Sequence, residues 1–394
     1  MNPFVFYAPT KVVFGVDAVE QTGKEAKAWG AHRVLIIYGS ERVVKDGLMK
    51  RITDSLEAEG IAWWKIGGVV PNPHLGLVYD ALEIAKRENV DFLLAVGGGS
   101  AIDTAKAVGY GLYEPDKDVW ELYNHDRTAK GCFPVASVLT IAAAGSETSN
   151  SSVITDERTA SKRSYNDDLA RPKFAIMDPA LTASLPDWQT ESGCADMMMH
   201  TMERYFTNSG NMEITDSIAE GLLRTVIRNA QILHADPANL DARAEVMWAG
   251  SLAHNDLTGC GNGVGGDFVC HMMEHELGGM FDVTHGAGLA AIWSTWARYV
   301  VNNCLPRFVR YAVNVMGVEP GATDEETAER GIAAMEAFYR SIGMPIRIHE
   351  LGINPTPEQI REMAARCVGA CGGSKGAAKV LYEEDFIKIY EGAL

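Results

Sequence analysis

The stretch VDFLLAVGGGSAIDTAK, residues 90–106, constrains the fold more than any other part of the chain. Its first seven residues are almost all apolar and read as a strand buried on both faces, the kind found in parallel sheets covered by helices. That strand runs straight into three glycines and a serine, and then into a helical sequence. The surrounding chain keeps the same alternation, with strands expected at 33–39, 62–68, 133–140 and 173–178 and helices at 43–59 and 75–89. The polar stretch 146–168 has a β-branched centre and reads as a hairpin. Beyond about Pro186 strand-like runs become rare, and long helical periodicities such as 214–234 and 325–343 take over. The expected organisation is an α/β domain over residues 1–186 and an all-helical domain over 187–394, the two-domain split that 394 residues would favour.

The turn at Gly97, Gly98, Gly99 and Ser100 offers free backbone N–H groups at the start of a helix, where the dipole favours an anion and glycine lets a pyrophosphate approach. A strand-to-helix turn in any parallel sheet also favours glycine, so a purely structural reading stands beside the phosphate-binding one. The turn is not GxGxxG, and it follows the third expected strand instead of the first. Asp103 and Lys106 lie three apart on the new helix. They read either as first-turn dipole compensation plus a solvated lysine, or as cofactor-orienting groups.

Asp196 and His200 are four apart in a helical stretch and so leave the same face one turn apart; His271 and His275 repeat the spacing, and His285 follows in a THGAG turn. An aspartate among several imidazoles suits a divalent iron, zinc, nickel or manganese ion. The methionines around these residues imply burial, and a buried aspartate beside buried histidines is costly unless a cation compensates it. His271, Glu274 and His275 also spell HxxEH, the inverted zinc-peptidase motif, as a competing reading that leaves the glycine turn and the Asp196/His200 pair unused.

The formal charge of -17, with no Lys/Arg tract, excludes nucleic acid as an expected partner. Seven cysteines at irregular spacing suggest neither a disulfide framework nor a zinc ribbon, and Cys367 and Cys371 read as reduced buried thiols. No run of about 18 apolar residues is present and the start lacks a secretory pattern, so a cytoplasmic protein with no membrane association is expected. Trp188, Trp248 and Phe268 read as core packing, with a small apolar pocket as the alternative.

Taken in order, the landmarks resemble those of the iron-containing (group III) alcohol dehydrogenases: Phe14–Gly15, GGGSxxDxAK from Gly97 to Lys106, GSE from Gly145, DPxLxxxLP from Asp178, DxxxH from Asp196, HxxxHxLG from His271, and His285–Gly286. The chain is similar to the butanol-dehydrogenase-like, NADPH-using members, and the resemblance covers nearly all of it. It implies a Rossmann-like N-terminal domain and an all-α C-terminal domain, the dehydroquinate-synthase-like architecture, with cofactor and metal facing each other across a cleft. It implies Asp196, His200, His271 and His285 as ligands of one divalent metal, iron(II) or zinc, and His275 as the group beside the nicotinamide. Gly98, Gly99 and Ser100 would meet the pyrophosphate, Asp103 the nicotinamide side, Thr140 and Leu181 the rest of the cofactor, and Lys162 the adenosine end. A homodimer is also implied.

This sequence departs from the family pattern at two places. IAAAGSE stands where TAGTGSE is usual, so Ala144 replaces a threonine hydroxyl that commonly meets the cofactor. After the first strand, Gly39, Ser40 and Arg42 occupy the turn where NAD-preferring relatives carry an aspartate that repels a 2′-phosphate, although Glu41 adds a negative charge. NADP(H) is therefore expected over NAD(H). The expected reaction is hydride transfer between NAD(P)(H) and a primary alcohol or aldehyde, with the metal stabilising the alkoxide. A glycerol-dehydrogenase-like or dehydroquinate-synthase-like NAD/zinc enzyme and a non-catalytic nucleotide binder are the alternatives.

Overall fold

The computed structural model describes residues 1–394. They divide into two compact units, Ala8–Leu185 and Pro186–Leu394, the second joined by Met1–Tyr7.

The first unit is built on a six-stranded parallel sheet of β1 (Lys11–Phe14), β2 (Arg33–Tyr38), β3 (Ala62–Ile66), β4 (Phe92–Gly97), β5 (Val135–Leu139) and β8 (Phe174–Met177), in the order β1-β8-β5-β4-β2-β3. Strands β6 (Ser151–Asp156) and β7 (Ser161–Asn166) form the expected hairpin, pairing Thr155 with Lys162. Strand β1 was not foreseen: four residues are too short for an alternation to register, and it holds the sheet edge by pairing only with β8. Helices α1 (Thr22–Ala28), α2 (Arg42–Lys45), α3 (Leu48–Ala58), α4 (Leu75–Arg87), α5 (Gly99–Tyr113) and α6 (Trp120–Tyr123) connect the strands. The single helix expected over 43–59 is two, because Gly47 takes φ +82° and turns the chain between α2 and α3. Ile36, Leu94, Val96, Val138 and Ile176 cover one sheet face and pack with Ala26, Ile52 and Leu56, all essentially inaccessible to water.

Strand β4 lies between β2 and β5. Its last residue, Gly97, pairs with Leu139, and Thr140 N–H donates to Gly97 O at 2.9 Å, so the turn leaving β4 lies against the segment leaving β5. A Cβ on Gly98 would stand 2.8 Å from Ile141 Cβ, and one on Gly99 would stand 3.1 Å from Ala144 Cβ. Side-chain packing against Ile141 and Ala144 thus favours glycine at both positions, in addition to anything the turn binds.

The second unit is helical: α7 (Asp187–Tyr205), α8 (Glu213–Ala235), α9 (Leu240–His254), α10 (Val269–Phe281), α11 (His285–Val300), α12 (Leu305–Asn314), α13 (Asp324–Ser341), α14 (Pro357–Ala370) and α15 (Glu383–Ala393). Helix α7 is buried continuously from Thr190 to Tyr205, with Met197, Met198 and Met199 fully inside. Phe206, immediately after it, stacks on Phe308 at 4.3 Å between ring centroids and touches Trp293, Trp296 and Tyr311. These aromatics supply the apolar area that carries a buried polar helix such as α7. Helices α7 and α11 meet so closely that a Cβ on Gly286 would lie 1.9 Å from Ser192 O. The core reading of Trp188 and Trp248 is corrected: they are 39% and 42% exposed, and Trp188 Nε1 donates to Thr284 Oγ1 at 3.0 Å. Phe268 is half-buried. No helix is long and apolar enough to cross a membrane.

Candidate active site

In the helical unit, α7 delivers Asp196 and His200, α10 delivers His271, and α11 begins at His285, a helix start where the sequence suggested a turn. One donor atom each from Asp196, His200 and His271 lies within 4.8 Å of the others, and all three residues are buried. Asp196 Oδ1 is 3.6 Å from His271 Nε2, 3.7 Å from His285 Nε2 and 3.0 Å from His200 Nδ1. The hydrogen bond of His200 Nδ1 goes to Asp196 O at 3.1 Å, so Asp196 Oδ1 has none, and neither has His271 Nε2. Two buried polar atoms left orphaned beside each other, with two more imidazoles converging, fit a divalent cation by chemistry and by geometry.

The electrostatics agree. Burial alone would raise the Asp196 carboxyl, but His200, His285 and His271 together hold it well below the usual range. Burial, helped by His271, pushes His200 down to about 4, which leaves a neutral ring of the kind a metal requires. His271 behaves oppositely: burial works against its charge, but Glu203 and Asp196 outweigh it and raise the ring to about 9. His254 packs edge-on against His200, 3.8 Å between centroids, and burial keeps it neutral.

Two carboxylates complete the arrangement. Glu203 Oε2 takes Nδ1 of His271 while Glu203 Oε1 accepts the N–H of Cys270 at 2.7 Å. Glu274 Oε2 takes Nδ1 of His285. Both glutamates are fully buried. Glu203 stands outside the sequence motifs, although DxxxHxxE puts it on the same helical face as the two α7 donors, and Glu274 is the glutamate of HxxEH, which in the peptidase motif would be a general base. Its carboxylate instead serves an imidazole on the next helix. His275 is buried one turn beyond His271, outside the donor group, with its ring 5.9 Å from that of His285.

Phe268 caps the start of α10 at φ +52°, an uncommon conformation for a bulky residue. Its ring lies 5.6 Å from that of His271 and carries the guanidinium of Arg204 at 5.0 Å. Arg204 also donates to His200 O at 2.9 Å. The apolar surround of the donors is therefore anchored to the backbone that carries them.

In the α/β unit, the glycine turn opens α5, where Gly98 is the cap and Gly99 the first residue. Ser100 and Thr140 are half-buried at its rim, and Leu181 packs on the sheet core. Asp103 is buried; its Oδ1 accepts from Ser146 Oγ at 2.6 Å and its Oδ2 from Val153 N at 3.0 Å. Lys106 is wholly buried, not solvated. Its Nζ donates to Ser146 O, Ser149 O and Ser151 O at 2.7–3.0 Å, and burial pushes it down to about 8. Both side chains thus pin residues 146–153 against α5. Lys162 is buried within β7. After β2, Ser40 Oγ accepts Arg42 N–H at 3.1 Å, Arg42 Nε meets Asp46 Oδ2 at 3.1 Å and Nη2 reaches Ser184 O at 2.5 Å. Glu41 Oε1 accepts from Tyr38 OH at 2.7 Å. A Cβ on Gly39 would come within 3.0 Å of Val69 O.

Comparison with known proteins matches residues 9–179 to the iron-containing alcohol dehydrogenases and residues 190–394 to the C-terminal part of that family. The chain belongs to the iron-containing alcohol dehydrogenase family. It is an NAD(P)-dependent alcohol dehydrogenase. Among its relatives, NADH-dependent butanol dehydrogenase A of Clostridium acetobutylicum is 37% identical over 392 residues, 99% of each chain. NADPH-dependent aldehyde reductase YqhD of Escherichia coli is 33% identical over 360 residues, 90% of each. The crystal structure of NADH-dependent butanol dehydrogenase A from Thermotoga maritima superposes with a TM-score of 0.95 at 36% identity, covering 100% of this chain and 99% of that one.

Proposed function

We propose that this alcohol dehydrogenase interconverts primary alcohols and aldehydes with NADP(H), using one divalent iron or zinc ion held by Asp196, His200, His271 and His285. The observation that carries the reading is the convergence of donor atoms on Asp196 Oδ1, with Oδ1 and His271 Nε2 lacking any other hydrogen bond in a buried setting. A divalent ion there supplies Lewis acidity, which eases loss of the hydroxyl proton in one direction and polarises a carbonyl in the other. The names of the relatives, butanol dehydrogenase and aldehyde reductase, support an alcohol or aldehyde substrate.

The chain's own groups divide the remaining work. Backbone N–H groups of Gly98, Gly99 and Ser100 at the start of α5 hold the pyrophosphate. Asp103 and Lys106 act on the cofactor indirectly, by fixing the segment that contains Ser146. Thr140, Leu181 and Lys162 line the rest of the cofactor site. His275 attends the nicotinamide end, where an imidazole outside the donor group is available to hold or pass a proton.

Ser40 in place of an acidic side chain, with Arg42 two residues on, supports NADP(H); Gly39 leaves room for Val69 O beside the turn. Glu41, fixed beside Ser40 by Tyr38, favours a second reading in which NAD(H) is preferred, as the butanol dehydrogenase names suggest. Exposed Phe4, Val5, Phe6 and Tyr7 support a homodimer, to be read by sedimentation, and the thiols of Cys132, Cys194, Cys260, Cys270 and Cys304 support a reducing, cytoplasmic setting.

The experiment is oxidation of NADPH and, separately, NADH with butyraldehyde, using protein stripped of metal and reloaded with iron(II) or zinc. Metal-dependent turnover favouring NADPH is expected. Metal-dependent turnover favouring NADH would replace the coenzyme assignment, and turnover indifferent to metal would remove the metal assignment.

A further inference from the structure

A neutral imidazole has one N–H, and only the other ring nitrogen can donate a lone pair to a cation. Which nitrogen carries the proton is decided by what the ring meets. A carboxylate accepts and never donates, so a carboxylate at Nδ1 draws the proton there and leaves Nε2 as the donor atom. Glu203 stands at Nδ1 of His271 and Glu274 at Nδ1 of His285, and in both rings the opposite nitrogen faces the same atom, Asp196 Oδ1, at 3.6 and 3.7 Å. The two glutamates come from different helices, α7 and α10, and each serves a histidine on another helix, α10 and α11. The pattern is therefore not a by-product of i, i+4 spacing.

We propose that Glu203 and Glu274 are positioning residues that keep a proton on Nδ1 of His271 and His285, so that Nε2, the atom facing Asp196, is the nitrogen freed to hold an ion; this rests on the reading that these residues hold a divalent metal. Glu203 allows a sharper deduction. Its Oε1 accepts the Cys270 N–H at 2.7 Å. In Glu203→Gln the amide oxygen must keep facing that N–H, because the alternative sets two donors against each other. The amide nitrogen then faces Nδ1 of His271 and donates to it, which moves the ring proton to Nε2 and blocks the donor atom. Glu203→Ala leaves a cavity and an unpaired Cys270 N–H, but it imposes no tautomer.

The test is competition for zinc between a chromophoric chelator and the full-length protein, alongside thermal melting of the metal-free protein. Wild type, His271→Ala, Glu203→Gln, Glu203→Ala and Glu274→Ala are compared. Wild type should hold zinc and His271→Ala should lose it; if wild type does not bind, or His271→Ala binds equally, the ligand reading itself is wrong. Given a bound wild type, Glu274→Ala should weaken zinc roughly ten- to hundredfold. Glu203→Gln should weaken zinc more than Glu203→Ala while melting closer to wild type. That inversion separates tautomer control from ordinary packing, in which the gentler substitution is gentler by both measures. Zinc affinity that simply follows the melting order, or binding by Glu203→Gln and Glu274→Ala within twofold of wild type, would overturn the proposal.

Discussion

Glu274 shares a helix with His271 and His275, yet its carboxylate holds Nδ1 of His285 on the following helix. The link fastens α10 to the first residue of α11 inside the donor group, so two of its imidazoles are placed by contacts between helices and not by local spacing alone.

Replacing Asp196 by alanine removes the atom on which three imidazoles converge, and leaves them with mutual repulsion should they charge. Bound metal should fall below detection by elemental analysis, and turnover of butyraldehyde should drop about a thousandfold or more, as expected when Lewis-acid stabilisation worth several kcal/mol is lost. Wild-type metal content in this variant would refute the ligand assignment.

Gly286→Ala places a methyl carbon 1.9 Å from Ser192 O, an overlap with backbone that no rotamer relieves. Helix α11 must shift, carrying His285 with it. A loss of about 3 kcal/mol in unfolding free energy is expected, together with weakened metal retention, measured by denaturant melts and by dialysis against a chelator. A stable variant with normal metal content would mean that α7 and α11 can part without disturbing the site.

Ser40→Asp sets a carboxylate at the turn proposed to meet the 2′-phosphate. The KM for NADPH should rise at least about tenfold, equivalent to about 1.4 kcal/mol, while kinetics with NADH stay within a factor of about two. Equal effects on both nucleotides would place Ser40 away from the 2′ position.

Lys106→Met removes a buried ammonium together with its bonds to residues 146, 149 and 151, and destabilisation of about 2–4 kcal/mol is expected at pH 7. The pH dependence has a definite sign. Burial lowers the folded-state value to about 8, below the value near 10.5 in the unfolded chain. Between those limits the unfolded chain binds more protons, so wild-type stability contributed by this group rises with pH across the window and is lowest below about 8. The wild-type advantage over Lys106→Met should therefore widen from pH 8 to pH 10 in denaturant titrations. A gap that narrows there would show that the lysine stays charged by preference.

The sequence was most informative where one physical requirement dominated. Residues 92–96 are apolar on both faces because β4 is interior to the sheet, and the glycines after it are legible because the neighbouring segment passes close to them. Strand β1 was lost because KVVF is too short to show a period, and the break at Gly47 because apolar spacing continues across it into α3. The four proposed donors were legible as residue types at helical spacing. Their carboxylate partners were not: Glu203 and Glu274 act on rings that lie 68 and 11 residues away, and no local pattern encodes such pairings. The solvated reading of Lys106 stood beside the cofactor-orienting one because its acceptors are main-chain carbonyls, which any sequence supplies. Trp188 and Trp248 looked internal because hydrophobicity alone does not say which helix face turns inward.

The helical unit is assembled from two stretches of chain. Asn2 bonds to Ser209 O at 3.0 Å and to Gly261 O at 3.2 Å, across separations of 207 and 259 residues, while the whole α/β unit occupies the interval between Tyr7 and Pro186. Topologically the α/β unit is an insert within the helical unit. A polypeptide of residues 186–394 alone would contain every proposed metal donor but leave the Gly261 loop without its covering segment. Closing a loop of nearly two hundred residues costs entropy. Met1–Tyr7 can thus take its place in the helical unit only by closing a loop that spans the whole α/β unit.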